Sequence, residues 1–223
     1  MPRLPCARLI GALCLLAPLS MPARAATQES QAWVSELATI RIDDANTLTI
    51  DSSQRLRSDA RSGGEQFLAR VALDRQIAPL VQMGGGFAYL KSEDDQELRL
   101  FQEAILSKGI WLAHTRMEQR FFDTADTPSW RLRQRVQASV AVDRAKRWTV
   151  IAAGEIFFHL NRARANDKTG LAMMRQQIGL RRSLGKILDA QMLYMRHMRQ
   201  QNLRDGRPDV VSHIPWLTLS WRL

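Results

Sequence analysis

Cysteine is almost missing from this 223-residue sequence, and its two copies, Cys6 and Cys14, both fall within the first 25 residues. Beyond that point no disulfide, thiolate metal site or cysteine nucleophile can form. Long hydrophobic runs are equally scarce after the N-terminal segment, which excludes a helical membrane protein. There are four histidines, His114, His159, His197 and His213, and no two stand three to five residues apart, so a zinc-type ligand motif is absent. The glycine triplet Gly84 to Gly86 in "MGGGF" lacks the spacing and following helix of a phosphate loop. In a strand such a triplet serves curvature or close packing instead. Met192, Met195 and Met198 repeat at a three-residue step, which alternates faces on a strand and so cannot gather three soft ligands for copper. No cofactor and no metal are expected.

The first 25 residues carry a different signal. Arg3 and Arg8 precede an apolar run from Leu9 to Leu19, and Ala23, Arg24 and Ala25 form an A-x-A cleavage site. These are the parts of a secretory signal peptide, so residues 1–25 are assigned to the leader and 26–223 to a single domain. Losing Arg3, Arg8 and Arg24 lowers the net charge by three, from +10 to +7. A basic balance usually points to nucleic acid or anionic lipid. An exported chain does not meet nucleic acid, and anionic lipid headgroups or small anions are the better partners.

What fills the mature chain is alternation of period two, the signature of strands. In residues 130–143 the even positions Trp130, Leu132, Val136, Ala138, Val140 and Val142 share one face, and Arg131, Arg133, Arg135, Gln137, Ser139 and Asp143 share the other. The reading repeats in eleven segments: 31–42, 46–57, 65–77, 80–91, 97–107, 110–122, 130–143, 147–160, 171–184, 187–200 and 211–223. Residues 94–109 also fit a helix capped by Asp95, but a strand there keeps the alternation of turns and loops. Short turns near 43–45, 77–79, 107–109, 143–146 and 185–186 alternate with longer polar loops such as "SDARSGG", "DTADTPS", "NRARANDKT" and "QNLRDGRPD". Lys108, Lys146 and Lys186 sit at the short turns, where a solvated rim accounts for them.

Most segments exceed ten residues, whereas strands of soluble proteins cluster near about 5–6 and tilted membrane strands need about 9–11. Trp111, Trp148 and Trp221 fall near the short-turn rim, and Trp130, Phe121, Phe158, Phe87 and Tyr89 toward the other, as two aromatic girdles would. The expected fold is all-β: an antiparallel up-and-down transmembrane β-barrel of about 10–12 strands in a bacterial outer membrane, with hydrocarbon toward lipid and arginine in the lumen. A soluble barrel would reverse those faces. Bacterial single-chain barrels normally have an even strand count, so eleven segments imply a first segment outside the wall, or one missed or split.

The segments "RMEQRFF", "RLRQRVQ", "GEIFFHLN", "RQQIGLRRSLGK" and "LYMRHMRQ", closing on "LTLSWRL", together resemble the family catalogued as domain of unknown function 2490. The resemblance covers nearly the whole mature chain and implies an outer-membrane barrel, with no activity attached. The last segment is similar to the terminal strand recognised by the barrel-assembly machinery, with Leu217, Leu219, Trp221 and Leu223 on one face. It departs in ending on leucine where phenylalanine is usual.

The densest polar feature lies on the inward face of the sixth and seventh segments: His114, Arg116, Glu118 and Arg120 beside Arg131, Arg133 and Arg135. Glu103, Glu155 and His159 join it from neighbouring segments. Two readings apply: a salt-bridge network that fills and stiffens the barrel, or an arginine-lined constriction selecting anions. The leading expectation is a narrow pore or transport-associated barrel; the alternative is a non-conducting structural or surface-interaction barrel. A lipid hydrolase would need serine activated by histidine at the lipid face. His213 points outward, but Met198 and Arg196 beside it supply no hydroxyl, so no enzymatic activity is expected.

Overall fold

The computed structural model describes residues 26–57, 64–164, 167–200 and 209–223. Residues 1–25, 58–63, 165–166 and 201–208 lie outside the described residues, and with them the predicted signal peptide and parts of three of the predicted loops. The rest forms eleven strands: β1 (Ala26–Arg41), β2 (Asn46–Arg57), β3 (Gln66–Ala78), β4 (Val81–Lys91), β5 (Gln96–Lys108), β6 (Trp111–Phe122), β7 (Ser129–Ala141), β8 (Trp148–His159), β9 (Gly170–Ser183), β10 (Leu188–Arg199) and β11 (Asp209–Arg222). They close into one barrel in sequence order. The ambiguous stretch is strand, as β5, because its Glu97, Arg99, Phe101 and Glu103 all turn to the interior, a face that only a two-residue period can supply.

Ten of the eleven pairings are antiparallel, and the eleventh, β1 with β11, is parallel from Ala26↔Asp209 to Thr39↔Arg222. A meander reverses direction at each turn, so an odd number of strands leaves the first and last running the same way. The first segment therefore belongs to the wall, and none was missed or split. It is also longer than the alternation indicated, starting at Ala26 rather than residue 31, because its first residues pair with β11. Backbone bonds from Leu223 to the Thr39 carbonyl (2.8 Å) and from Arg41 to the Leu223 carbonyl (3.0 Å) finish this seam.

The short connections collect on one rim and the longer ones on the other. At the first short turn Asp43 accepts from the Ala45 and Asn46 backbone N–H groups (2.8 Å each) and from Asn46 Nδ2 (2.7 Å). The Asn46 side chain first, then those two backbone donors, hold the Asp43 carboxyl below the usual carboxylate range. On β4 a Cβ at Gly86 would stand 2.0 Å from the Val71 carbonyl oxygen, and one at Gly84 2.3 Å from that of Leu73. Gly84 and Gly86 let β3 and β4 approach, and Gly85, whose Cβ would stand 2.6 Å from the Phe101 carbonyl oxygen, does the same for β4 and β5.

Eleven strands at about 4.8 Å spacing and about 40° tilt set a backbone radius of about 11 Å. A strand as long as β2, 12 residues, rises about 30 Å along the axis at that tilt. Among the described residues no single apolar core fills the barrel. Two small inward clusters exist, Trp33 with Met195, Ile214 and Trp216, and Ala72 with Ala88 and Phe101.

Candidate functional site in the barrel lumen

Polarity is inverted relative to a soluble protein. Val34, Ile50, Phe67, Leu73, Leu100, Ile178, Leu180 and Leu217 are exposed on the outside, while Glu97, Arg99, Glu103, Arg116, Glu118, Arg131 and Glu155 are buried inside. The two-residue period imposes this: along each strand every second side chain enters the lumen. Exposed rings stand near both rims, Trp111 and Trp148 where the short turns lie and Trp130, Phe121 and Tyr89 toward the longer loops.

The lumen holds a cavity of about 1060 Å³, lined from Thr39 and Arg222 near one rim to Asp95 and Arg164 at the other. Along β5 to β8 its wall is an ion-pair ladder in two runs, one on Glu97 and one joining Glu103, Glu118 and Glu155 through Arg116 and Arg133. Near the long-loop end, Glu97 receives Arg99 (2.6 Å) and Arg120 (Nη2 at 3.1 Å), and Arg120 also meets His159 at 3.4 Å. One step across, Glu118 takes Arg131 Nε at 2.6 Å and Arg133 Nη1 at 2.7 Å. Arg133 reaches on to Glu155 (2.6 Å), which also pairs with Arg175 at 3.4 Å. Glu103 binds Arg116 and His114, each at 2.6 Å. Arg135 donates to Gln137 Oε1 at 2.7 Å. Register explains several of these partners: Glu118 stands opposite Arg131, Glu103 opposite Arg116 and Glu155 opposite Arg175.

Every residue assigned to the lumen cluster from sequence, Arg116, Glu118, Arg120, Arg131, Arg133, Arg135, Glu103 and Glu155, lines this one cavity. From residue 30 to residue 206 the sequence also matches a family model described as "Protein of unknown function (DUF2490)". The chain belongs to the DUF2490 family. The match runs from β1 to beyond the end of β10 and stops before β11. A comparison with curated proteins finds no match.

In this DUF2490 barrel the opposite side of the lumen has a different character, which the sequence reading missed. Arg55 on β2 lies with its guanidinium 4.1 Å from the centre of the Trp33 ring, and Arg175 on β9 stands 5.3 Å from the same ring. His197 on β10 meets that indole edge-on at 6.5 Å. Arg55 and Arg57 were legible as members of a polar face. That β2, β9 and β10 share one region of the lumen was not, because their meeting depends on the parallel closure. Glu97 and Arg99, left out of the cluster, lie within the predicted segment 97–107 and share the parity of Glu103, so the same rule reaches them.

On the outside, the Tyr194 hydroxyl is hydrogen-bonded to His213 Nδ1, and His213 Nε2 to Gln28 at 2.9 Å. The expectation that His213 has no hydroxyl beside it is therefore corrected. Tyr194 is two residues along from Arg196, the direct partner of His213, and reaches it diagonally. Among the described residues no group of three or more His, Cys, Asp or Glu side chains could hold a metal ion. No helix among them is long and apolar enough to cross a membrane.

Proposed function

We propose that this DUF2490 protein is an outer-membrane barrel whose lumen is a narrow, arginine-lined passage favouring anions. One observation carries the reading: large apolar side chains cover the outside while the buried ions face a cavity that reaches both rims. Water outside would leave that apolar sheath without a partner, and contiguous apolar surface of this extent marks contact with lipid or protein. Strands of 11 to 16 residues suit a tilted crossing of an apolar band about 25 Å tall. On this reading outer-membrane lipids cover the sheath, and the barrel-assembly machinery receives β11, whose Leu217, Leu219 and Trp221 occupy its outer face.

The passage is narrow because a lumen of this radius is crowded by side chains from all sides. Its field is positive, since lumen arginines such as Arg55, Arg135 and Arg181 have no carboxylate within ion-pair distance among the described residues, and a basic constriction of this kind discriminates by charge. Purified protein in planar bilayers is expected to conduct, with reversal potentials favouring chloride over potassium, and Arg133→Gln is expected to weaken that preference. A silent bilayer, or selectivity untouched by Arg133→Gln, would reject the passage. The ion-pair ladder and the Trp33, Met195 and Ile214 cluster favour a second reading, a non-conducting barrel of the envelope, and the silent bilayer is its signature.

A further inference from the structure

Ionic satisfaction differs sharply between the two sides of the lumen. On the β5 to β8 side Glu97, Glu118 and Glu155 each meet two guanidinium groups, and Glu103 meets Arg116 and the His114 ring. On the β2, β9 and β10 side Arg55 donates to the neutral Gln66 Oε1 (2.7 Å) and, among the described residues, makes no ion pair. Its charge lies in the field of Arg175, Arg99, Arg57 and Arg133. Arg175 has only the 3.4 Å contact with Glu155, which is already engaged by Arg133 at 2.6 Å. Arg199 reaches Glu29 at 3.6 Å, and Glu29 also accepts from Gln31 (3.1 Å) and Ser212 (3.0 Å).

The same side holds the orphaned donors. Nε of Arg55, Nε of Arg175, Nε of Arg199 and both ring nitrogens of His197 are shut off from solvent without a hydrogen-bond partner among the described residues. All four residues line the lumen cavity. A buried nitrogen without a partner costs on the order of 1–3 kcal/mol, more when charged, and native proteins rarely leave several together. Trp33 offsets part of this through its ring face, which attracts both guanidinium groups. It supplies no negative charge. Guanidinium groups and a neutral imidazole N–H converging on one aromatic ring are a donor set for an oxyanion, and arginine forks match its paired oxygens.

We infer that Arg55, Arg175, His197 and Arg199, gathered around Trp33, form a binding site inside the barrel for a small solute carrying two or more negative charges on phosphoryl or carboxylate oxygens. The site faces inward, so a membrane lipid cannot fill it and the ligand enters through the lumen. The inference rests on reading the lumen as accessible to solutes, though not on conduction from rim to rim. Such a site would hold an anion in the passage or at a dead end within it.

Calorimetric titration of the whole folded protein in nonionic micelles, with pyrophosphate and in a second arm with citrate, tests this. Saturable binding of at least one polyanion at one site per chain is expected, and the arm that binds tells phosphoryl from carboxylate chemistry. Arg55→Gln and His197→Gln are each expected to weaken binding about tenfold or more, the loss of one charged hydrogen bond. Arg41→Gln removes the same charge at the exposed rim and is expected to bind as the parent does. If Arg55→Gln does not fold, His197→Gln decides alone, since it swaps one uncharged polar group of similar size for another. Absence of binding in both arms, unchanged affinity in the lumen variants, or equal loss in Arg41→Gln would overturn the site. A barrel that binds but carries no current sinks only the passage, and one that conducts but binds neither polyanion sinks only this site.

Discussion

Glu118 illustrates how much one carboxylate holds at the residue scale. It is 1% exposed and joins β6 to β7 through Arg131 and Arg133. Replacing it by glutamine leaves two guanidinium groups competing for an uncharged amide, and breaking a buried pair of this kind typically costs about 3–5 kcal/mol. Glu118→Gln is therefore expected to lower stability by about 3 kcal/mol or more, read as a lower urea midpoint for unfolding from micelles. A shift below about 1 kcal/mol, the worth of a surface ion pair, would mean that lumen water already screens this carboxylate. The inward direction of Glu118 and its arginine neighbours was legible from parity alone. Which arginine it serves was not, because parity carries no register: a slip of two residues between β6 and β7 keeps every face and changes every partner.

Among the elements, β1 and β4 depart most from a plain meander. β1 closes the barrel in parallel with β11, and its place in the wall is forced by the odd strand number. Eleven segments could be counted in the sequence, yet the closure could not be read there, since a parallel seam pairs residues nearly the whole chain apart and leaves no local mark. On β4 the glycines could be seen, and so could their general purpose. The carbonyl of Val71, 2.0 Å from where a Gly86 Cβ would stand, belongs to the packing of two strands. Gly86→Val is expected to destabilise the barrel by about 1–3 kcal/mol, the usual cost of forced overpacking, visible as a lower thermal midpoint. Gly154→Val is the control, since a Cβ there meets nothing within 4 Å. Equal loss in both would assign the cost to strand glycine in general instead of to this approach.

For the whole molecule the governing feature is which solvent meets which face. Ile178 lies on the outer face of β9 and is 42% exposed. If acyl chains cover that face, Ile178→Arg costs about 2–4 kcal/mol near the bilayer midplane, measured as a lower folding midpoint in phospholipid vesicles. A substitution without effect would place water there and remove the membrane reading. The eleven alternating segments, the alternation of short turns and longer loops, and the sorting of arginine from hydrocarbon were all determined by the sequence itself, because a two-residue period and turn chemistry act over neighbouring residues. Only the tertiary structure decided the parallel seam, the partner of each buried carboxylate, and the gathering of Arg55, Arg175 and His197 around Trp33. Those depend on ring closure and register, which bring together side chains that no local pattern connects.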